Sequence, residues 1–209
     1  GAPSRPRAPR AAGLGDVLQR REVAGLLAAC VLLQASFGPY YVFFTIYLSD
    51  LGYTAWQAGL MWAWGVAAEI VVFAYTPRLL RRWSVHALLT GALAATVVRW
   101  LWIGWFPHST VMLILAQTLH MAGFGIFHAA AVHLVHRHFD GRIRNRGQAL
   151  YSSLGFGLGG AIGSLMAGYL WALGDPQVAW TAAAVVAALA TTVILVTAPA
   201  RRRVTTQTG

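Results

Sequence analysis

Six long apolar stretches, separated by short polar connections, dominate the pattern of this 209-residue chain. A helix that crosses a bilayer needs about 20 mostly apolar residues, and each stretch reaches that length. The pattern therefore predicts an all-α polytopic membrane protein with spans at about 23–48, 57–76, 85–105, 109–133, 148–173 and 178–198. The connections "SDLGYTAW", "PRLLRRWS", "FPHS", "RHFDGRIRNRG" and "GDPQ" carry turn residues or charge, as loops do.

Arginine supplies all 16 basic side chains, and its distribution predicts the orientation of the spans. Five arginines precede the first span, three lie in the second connection, four lie in the fourth, and three follow the last span. The other three connections contain none. Because positive residues accumulate in cytoplasmic loops, we expect both termini in the cytoplasm and the spans in a bacterial inner membrane. The same alternation argues against a nucleic-acid partner, since the +10 charge is not gathered on one face.

Polar segments precede and follow the six spans. The segment before the first span begins "GAPSRPRAPRAAG", a composition typical of a disordered, solvated linker. We therefore divide the chain into a cytoplasmic linker at 1–20, a six-helix transmembrane bundle at 21–200 and a cytoplasmic tail at 201–209. A chain that begins in a linker and lacks an initiator methionine is expected to be a fragment of a longer protein. A natural half-size subunit, paired with itself or with a separately encoded half, is the alternative.

Composition supports the membrane prediction and argues against metal or cofactor chemistry. The chain is 57% hydrophobic and only 11% charged, whereas soluble domains carry about a quarter charged residues. Its single cysteine, Cys30, excludes a disulfide or a cysteine zinc site, and we expect no cofactor. The cluster His133, His136 and His138 straddles the cytoplasmic end of the fourth span, so a solvated interface is a better interpretation than a metal site.

A few ionisable residues interrupt the apolar spans. They are Glu69 on the second span, Arg99 on the third, and His120 and His128 on the fourth. Such groups are costly in a bilayer and normally face a protein interior or a wet cavity. At the rise of an α-helix, Glu69 lies roughly 18 Å and His120 roughly 16 Å below the periplasmic surface, and Arg99 about 9 Å below it. Glu69 and His120 are therefore predicted to share a depth, with Arg99 nearer the periplasm.

Each ionisable side chain on the second and fourth spans has polar or aromatic neighbours at helical spacing, and the first span carries a similar stripe. These stripes suggest a central cavity for an organic solute. Their members are Gln34, Gly38, Tyr41 and Thr45 on the first span, Trp62, Gly65, Glu69, Phe73 and Thr76 on the second, and Gln117, His120, Phe124 and His128 on the fourth. On the fifth span, Gly155, Gly159 and Gly163 are four apart, which predicts close helix packing. The Gly38-Pro39 pair breaks or kinks the first span, and we favour packing over a hinge.

Several segments together resemble a known family. "LLQASFGPYYVFFTIYLSDLGYTAWQAGLMWAWGVAAEIVVFAYTPRLLRRWS" is similar to the seventh and eighth helices of the phenylpropionate permease branch of the major facilitator superfamily. "VVRW" and "QTLHMAGFGIFHAAAVHLV" resemble its ninth and tenth helices, and "QALYSSLGFGLGGAIG" its eleventh. The resemblance covers roughly residues 20–200 and implies the C-terminal six-helix half of a twelve-helix secondary transporter. The partner is then an N-terminal six-helix half.

The resemblance also implies a role for the ionisable residues. In the related lactose permease, a carboxylate, an arginine and a histidine on the eighth to tenth helices serve sugar binding and proton coupling. Glu69, Arg99 and His120 stand where such a set would be. One departure is that the lactose permease has a second carboxylate three residues after the histidine, where this chain has Gly123.

The leading hypothesis is half of a proton-coupled importer for a small organic solute, with an aromatic carboxylate favoured by the resemblance, and not an enzyme. Proton coupling is assigned to Glu69, Arg99 and His120. A sugar or nucleoside proton symporter of the same fold is the alternative, and a stand-alone six-helix membrane enzyme or redox protein is the alternative of another class. The predicted substrate-binding residues are Gln34, Tyr41, Trp62, Glu69, Arg99, Gln117, His120, Phe124 and His128.

Overall fold

Six helices long and apolar enough to cross a membrane make up the structure, a computed structural model that describes residues 13–199. We call them the first to the sixth span. They cover Arg21–Asp50, Ala55–Arg82, Val85–Trp105, Thr110–His138, Gly141–Trp171 and Pro176–Thr197. Residues 13–199 contain no strand, so the predicted all-α bundle of six spans is confirmed.

Three spans extend furthest beyond the predicted apolar stretches. The second span continues to Arg82, the fourth to His138, and the fifth begins at Gly141. Hydropathy marks only the apolar part of a helix, whereas hydrogen bonding continues into polar turns at the arginine-bearing end. At the opposite end, side-chain caps at Thr54, Ser109 and Asp175 fix the first turns of the second, fourth and sixth spans.

A short helix, Leu14–Leu18, precedes the first span within the predicted linker. The backbone amide of Gly13 donates to the Asp16 carboxylate at 3.0 Å, and Val17 is only 1% exposed. The end of the predicted linker is therefore folded rather than solvated, because Val17 joins the apolar core. The predicted tail at 201–209 and the beginning of the linker lie outside the described residues.

Three spans are irregular near their middle. The first is divided at Phe37 into Arg21–Ser36 and Gly38–Asp50. The fourth consists of Thr110–Thr118, a π-helical turn at Met121–Ile126 and Phe127–His138. The fifth begins with a 3₁₀ turn at Gly141–Ile143 and continues as Arg144–Ser152, a second π-helical turn at Ser153–Gly159 and Gly160–Trp171. π-Helical turns are rare in proteins overall, but those that occur are frequently found at functional sites.

Glycines let the first and fifth spans pack backbone against backbone. A Cβ atom built on Gly159 would lie 2.6 Å from the carbonyl oxygen of Val31, and one on Gly163 would meet the backbone of Ala35. A Cβ on Gly38 would in turn overlap the backbone of Gly163. The predicted close packing is confirmed at Gly159 and Gly163, and the break at Gly38 serves that packing. At Gly155 a Cβ would make only ordinary contact, 3.7 Å from Cys30 Cβ.

Glu22 ties together three spans at the arginine-bearing end. Its Oε2 lies 3.0 Å from His138 Nε2, and its Oε1 lies 3.2 Å from His86 Nε2 and 3.9 Å from Arg137 Nη2. The interpretation of the histidine cluster as a solvated face is therefore wrong for His138, because the longer fourth span brings its ring to Glu22. Residues 13–199 contain no group of three side chains placed to hold a metal.

Candidate functional site

The second and fourth spans bring Glu69 and His120 together. Glu69 Oε2 lies 3.5 Å from His120 Nε2, and the two side chains are 14% and 6% exposed. One glycine lets the two spans approach closely beside this pair. A Cβ on Gly125 would lie 2.5 Å from Val72 Cγ1, whereas one on Gly65 would make only ordinary contact, 3.6 Å, with His120 Cβ. The carboxyl and imidazole groups therefore form a nearly enclosed pair within ion-pair distance.

Arg99 lies apart from this pair and is completely buried. Its Nε donates to the carbonyl oxygen of Ala116 at 3.1 Å, and its Nη2 donates to Gln117 Oε1 at 3.4 Å. Its Cζ lies 4.1 Å from the ring centroid of Tyr40 and 4.3 Å from that of Trp100. No carboxylate oxygen within residues 13–199 is within 4.0 Å of it. Ring faces and neutral oxygens therefore stabilise this cation in place of an acidic partner.

Tyr40 connects Arg99 to the Glu69–His120 pair. Its hydroxyl donates to Gln117 Oε1 at 2.9 Å, and its ring centroid lies 5.7 Å from that of His120. The sequence pattern predicted Tyr41 instead. That prediction continued the helical spacing of the first span across Phe37, where the helix is in fact interrupted. Tyr41 is half exposed, while Tyr40 faces the polar groups.

An aromatic surface adjoins the pair. The ring centroid of Trp62 lies 4.3 Å from that of Tyr40 and 6.4 Å from that of Tyr41, to which it is inclined by only 20°. The Trp62 indole Nε1 donates to Thr45 Oγ1 at 3.1 Å, which fixes the indole in this orientation. Trp62 and Tyr41 keep part of their rings exposed, so an organic solute could pack against them.

A column of rings continues from His120 along the fourth span. The centroids of His120 and Phe124 are 5.6 Å apart, and those of Phe124 and His128 are 6.2 Å apart, with the planes inclined by 20° and 13°. Residues four apart lie on the same side of a helix, so the three rings form one column. His128 Nδ1 lies 2.8 Å from the Tyr151 hydroxyl of the fifth span.

A small recess between the first, fourth and fifth spans holds the remaining predicted residues. Gln34, Phe124 and His128 line it together with Tyr151 and Phe156. Sequence reasoning missed the last two, because the fifth span carries no charged residue near its middle to draw attention to it. Two members of the predicted stripes do not join the site: Phe73 is exposed, and the Thr76 hydroxyl donates to the carbonyl oxygen of Val72 on its own helix.

Comparison with known proteins identifies the family. Residues 4–182 match the family described as "MFS_1 like family". The chain belongs to the MFS_1 like family. This family and the relatives below are transporters rather than enzymes, and the structure of the chain is that of one half of a major facilitator superfamily transporter.

Two curated relatives and one solved structure are similar to this chain. The protein named "Probable 3-phenylpropionic acid transporter" of Escherichia coli (strain K12) is 35% identical over 161 residues, which cover 76% of this chain and 41% of that protein. The maltose permease of Geobacillus stearothermophilus is 28% identical over 179 residues, which cover 78% of this chain and 44% of the permease. The nucleoside transporter NupG superposes with a TM-score of 0.76 at 16% identity over 93% of this chain and 54% of NupG.

The chain therefore spans less than half of each curated relative and about half of NupG. The phenylpropionate-type branch resemblance seen in the sequence is confirmed. The likeness to NupG shows the fold alone, and the roles of Glu69, Arg99, His120 and the predicted substrate-binding residues stay predictions.

Proposed function

We propose that the chain forms one six-helix bundle of a proton-coupled secondary transporter that takes up a small organic solute. The observation that carries this proposal is the Glu69–His120 pair, 3.5 Å apart, beside the partly exposed rings of Trp62 and Tyr41. A shared proton site next to an organic surface is what coupling of proton and solute requires. Alternating access then comes from this bundle rocking against a second six-helix bundle.

The pair acts as the proton carrier. With one bound proton, Glu69 and His120 are together uncharged, either as carboxylic acid and imidazole or as carboxylate and imidazolium. Loss of the proton leaves a single negative charge in a site of low dielectric constant, which is costly. The proton is therefore taken up from one side of the membrane and released to the other only when the bundle exposes the pair.

The solute binds between the rings and the polar groups. Its apolar part packs on Trp62 and Tyr41, and its carboxylate turns towards His120 and the field of Arg99, which lies behind Tyr40. The phenylpropionic acid relative supports an aromatic carboxylate as the solute. The maltose permease supports a sugar as the alternative.

The arginine distribution supports cytoplasmic termini in a bacterial inner membrane. The second and fifth spans are the least buried of the six. We assign their outer faces to the lipid bilayer and to the second bundle, whose existence is supported by the greater length of the relatives. Whether that bundle belongs to the same polypeptide or to a separate subunit does not alter the mechanism.

A transport assay on the complete transporter, with both bundles present, tests this proposal. Membrane vesicles that contain it should accumulate 3-phenylpropionate when the external medium is more acidic than the lumen, and a protonophore should abolish the accumulation. Maltose and a nucleoside serve as competing candidates under the same conditions. Uptake that is indifferent to the pH gradient for all three solutes would refute proton coupling.

Replacement of Thr45 with valine should weaken solute binding moderately. Valine has nearly the same shape but removes the acceptor for Trp62 Nε1. Loss of one hydrogen bond costs about 1 kcal/mol, which corresponds to a roughly fivefold higher KM for the solute. Thr192→Val is the matched control, since its hydroxyl donates only to the carbonyl oxygen of Ala188 on its own helix. Equal KM values for both variants would show that Trp62 is not positioned by Thr45.

A further inference from the structure

A second cavity lies between the second and fourth spans, at the end opposite to the arginine-bearing connections. It has a volume of about 470 Å³. None of the aromatic residues of the proposed solute surface contributes to it. Its lining residues are Tyr53, Gln57, Leu60, Met61, Trp64, Thr110, Ile114 and Gln117.

Hydrogen bonds between elements hold the walls of this cavity in place. Trp64 Nε1 donates to Thr118 Oγ1 at 2.9 Å, which ties the indole of the second span to the fourth. The Tyr53 hydroxyl and Thr110 Oγ1 are 2.8 Å apart and join the first connection to the start of the fourth span. These bonds fix Trp64 and Tyr53 in position, while Leu60, Trp64 and Ile114 remain about half exposed, so the cavity is open on its outer side.

One buried polar side chain of the lining has an unused donor. Gln117 is 0% exposed and Met61 6% exposed, and we call this buried part of the lining the inner end of the cavity. Its Oε1 accepts hydrogen bonds from the Tyr40 hydroxyl and from Arg99 Nη2, which fixes the orientation of the amide. Its Nε2 has no hydrogen-bond partner among residues 13–199. A buried N–H group without a partner is costly, and an acceptor atom in the cavity would satisfy it.

The positive charge of Arg99, next to the inner end of the cavity, also favours a ligand with an acceptor atom. Arg99 contacts Gln117 and has no carboxylate partner in the described chain. Its positive potential therefore reaches the inner end of the cavity. The outer walls, in contrast, are mainly apolar side chains such as Leu60, Trp64 and Ile114. An apolar body with one electron-rich end matches both parts.

We propose that this cavity is a second binding site for a small apolar organic molecule with a single carboxylate or carbonyl acceptor. It shares Gln117 with the predicted substrate-binding residues but does not include Trp62 or Tyr41. The acceptor accepts a hydrogen bond from Gln117 Nε2, and the apolar body lies against Leu60, Trp64 and Ile114. The volume accommodates two fused aromatic rings. The inference does not require that the chain transports protons.

Protection of an introduced cysteine tests the site. The chain's own cysteine, Cys30, is buried, so Leu60→Cys gives a nearly selective maleimide target inside the cavity. In lipid nanodiscs, 2-naphthoate at ten times its dissociation constant should slow the reaction of the whole chain carrying Leu60→Cys about tenfold. 2-Acetylnaphthalene, a neutral acceptor, should also protect, whereas 2-ethylnaphthalene, which has no acceptor, should protect much less.

Two control variants separate this site from the rest of the bundle. Val66→Cys lies on the same span, is exposed and does not line the cavity, so its labelling should not respond to 2-naphthoate. Ile114→Trp should fill the cavity and remove the protection at Leu60→Cys. Equal protection at both cysteines, equal effects of all three naphthalenes, or a Leu60→Cys that is unreactive in nanodiscs without solute would each overturn the proposal. Glu69→Gln should leave protection unchanged, which distinguishes this result from a failure of proton coupling.

Discussion

Glutamine at position 69 should abolish accumulation of the solute while leaving its exchange across the membrane intact. Glutamine keeps an oxygen near His120 Nε2, which Glu69 Oε2 approaches to 3.5 Å, but it carries no proton that can be released. With one proton per solute, a pH difference of one unit supplies about 1.4 kcal/mol, or a tenfold concentration ratio. The complete transporter with Glu69 should reach about that ratio, and the Glu69→Gln variant should stop near equal concentrations inside and outside.

The matched control for this experiment is Asp50→Asn. Asp50 is exposed at the end of the first span, so its amide variant should accumulate solute as the unaltered protein does. Counterflow of labelled against unlabelled solute in proteoliposomes measures exchange without a gradient. Normal accumulation by Glu69→Gln would assign proton transfer to another group and refute the mechanism proposed above.

Gly163→Ala should destabilise the bundle strongly for a change of one methyl group. The added Cβ would meet the backbone of Ala35, and the fifth span would have to move away from the first. Overpacking of this kind typically costs 1–3 kcal/mol, and here the neighbouring atoms are backbone atoms that cannot rotate aside. A lower midpoint of thermal unfolding in detergent, with a smaller yield of folded protein, is the expected result.

Gly168 provides the comparison on the same helix. A Cβ at this position has no atom within 4 Å, so Gly168→Ala should leave stability unchanged or raise it by up to about 1 kcal/mol through helix propensity. Equal midpoints for the two variants would contradict the packing described here. The pair separates the effect of packing from the general effect of replacing a glycine in a helix.

The six spans were predictable because each needs a long apolar run that no loop resembles. The members of the site on the second and fourth spans were also predictable, since an ionisable residue such as Glu69 or His120 is conspicuous among apolar neighbours. Sequence spacing placed these two at similar depths, and the structure brings them within 3.5 Å.

Other features had no local signal. Tyr40 was missed because the interruption at Phe37 changes which side of the first span faces the site. The partner of His128, Tyr151, lies on a span without charged residues near its middle, so only tertiary packing shows the contact. The predicted depths of these residues in the membrane did not decide whether the Arg99 side chain would reach Glu69. The structure encloses Arg99 between Tyr40 and Trp100 instead.

The two π-helical turns, Met121–Ile126 and Ser153–Gly159, bear on how chain length can vary among related proteins. Each holds one residue more than the α-helical turn it replaces. Deleting one residue there would restore a regular helix, and the two ends of the span would keep their facing directions. The same deletion in the regular sixth span, Pro176–Thr197, would rotate one end by about 100° and carry Trp180 out of the core.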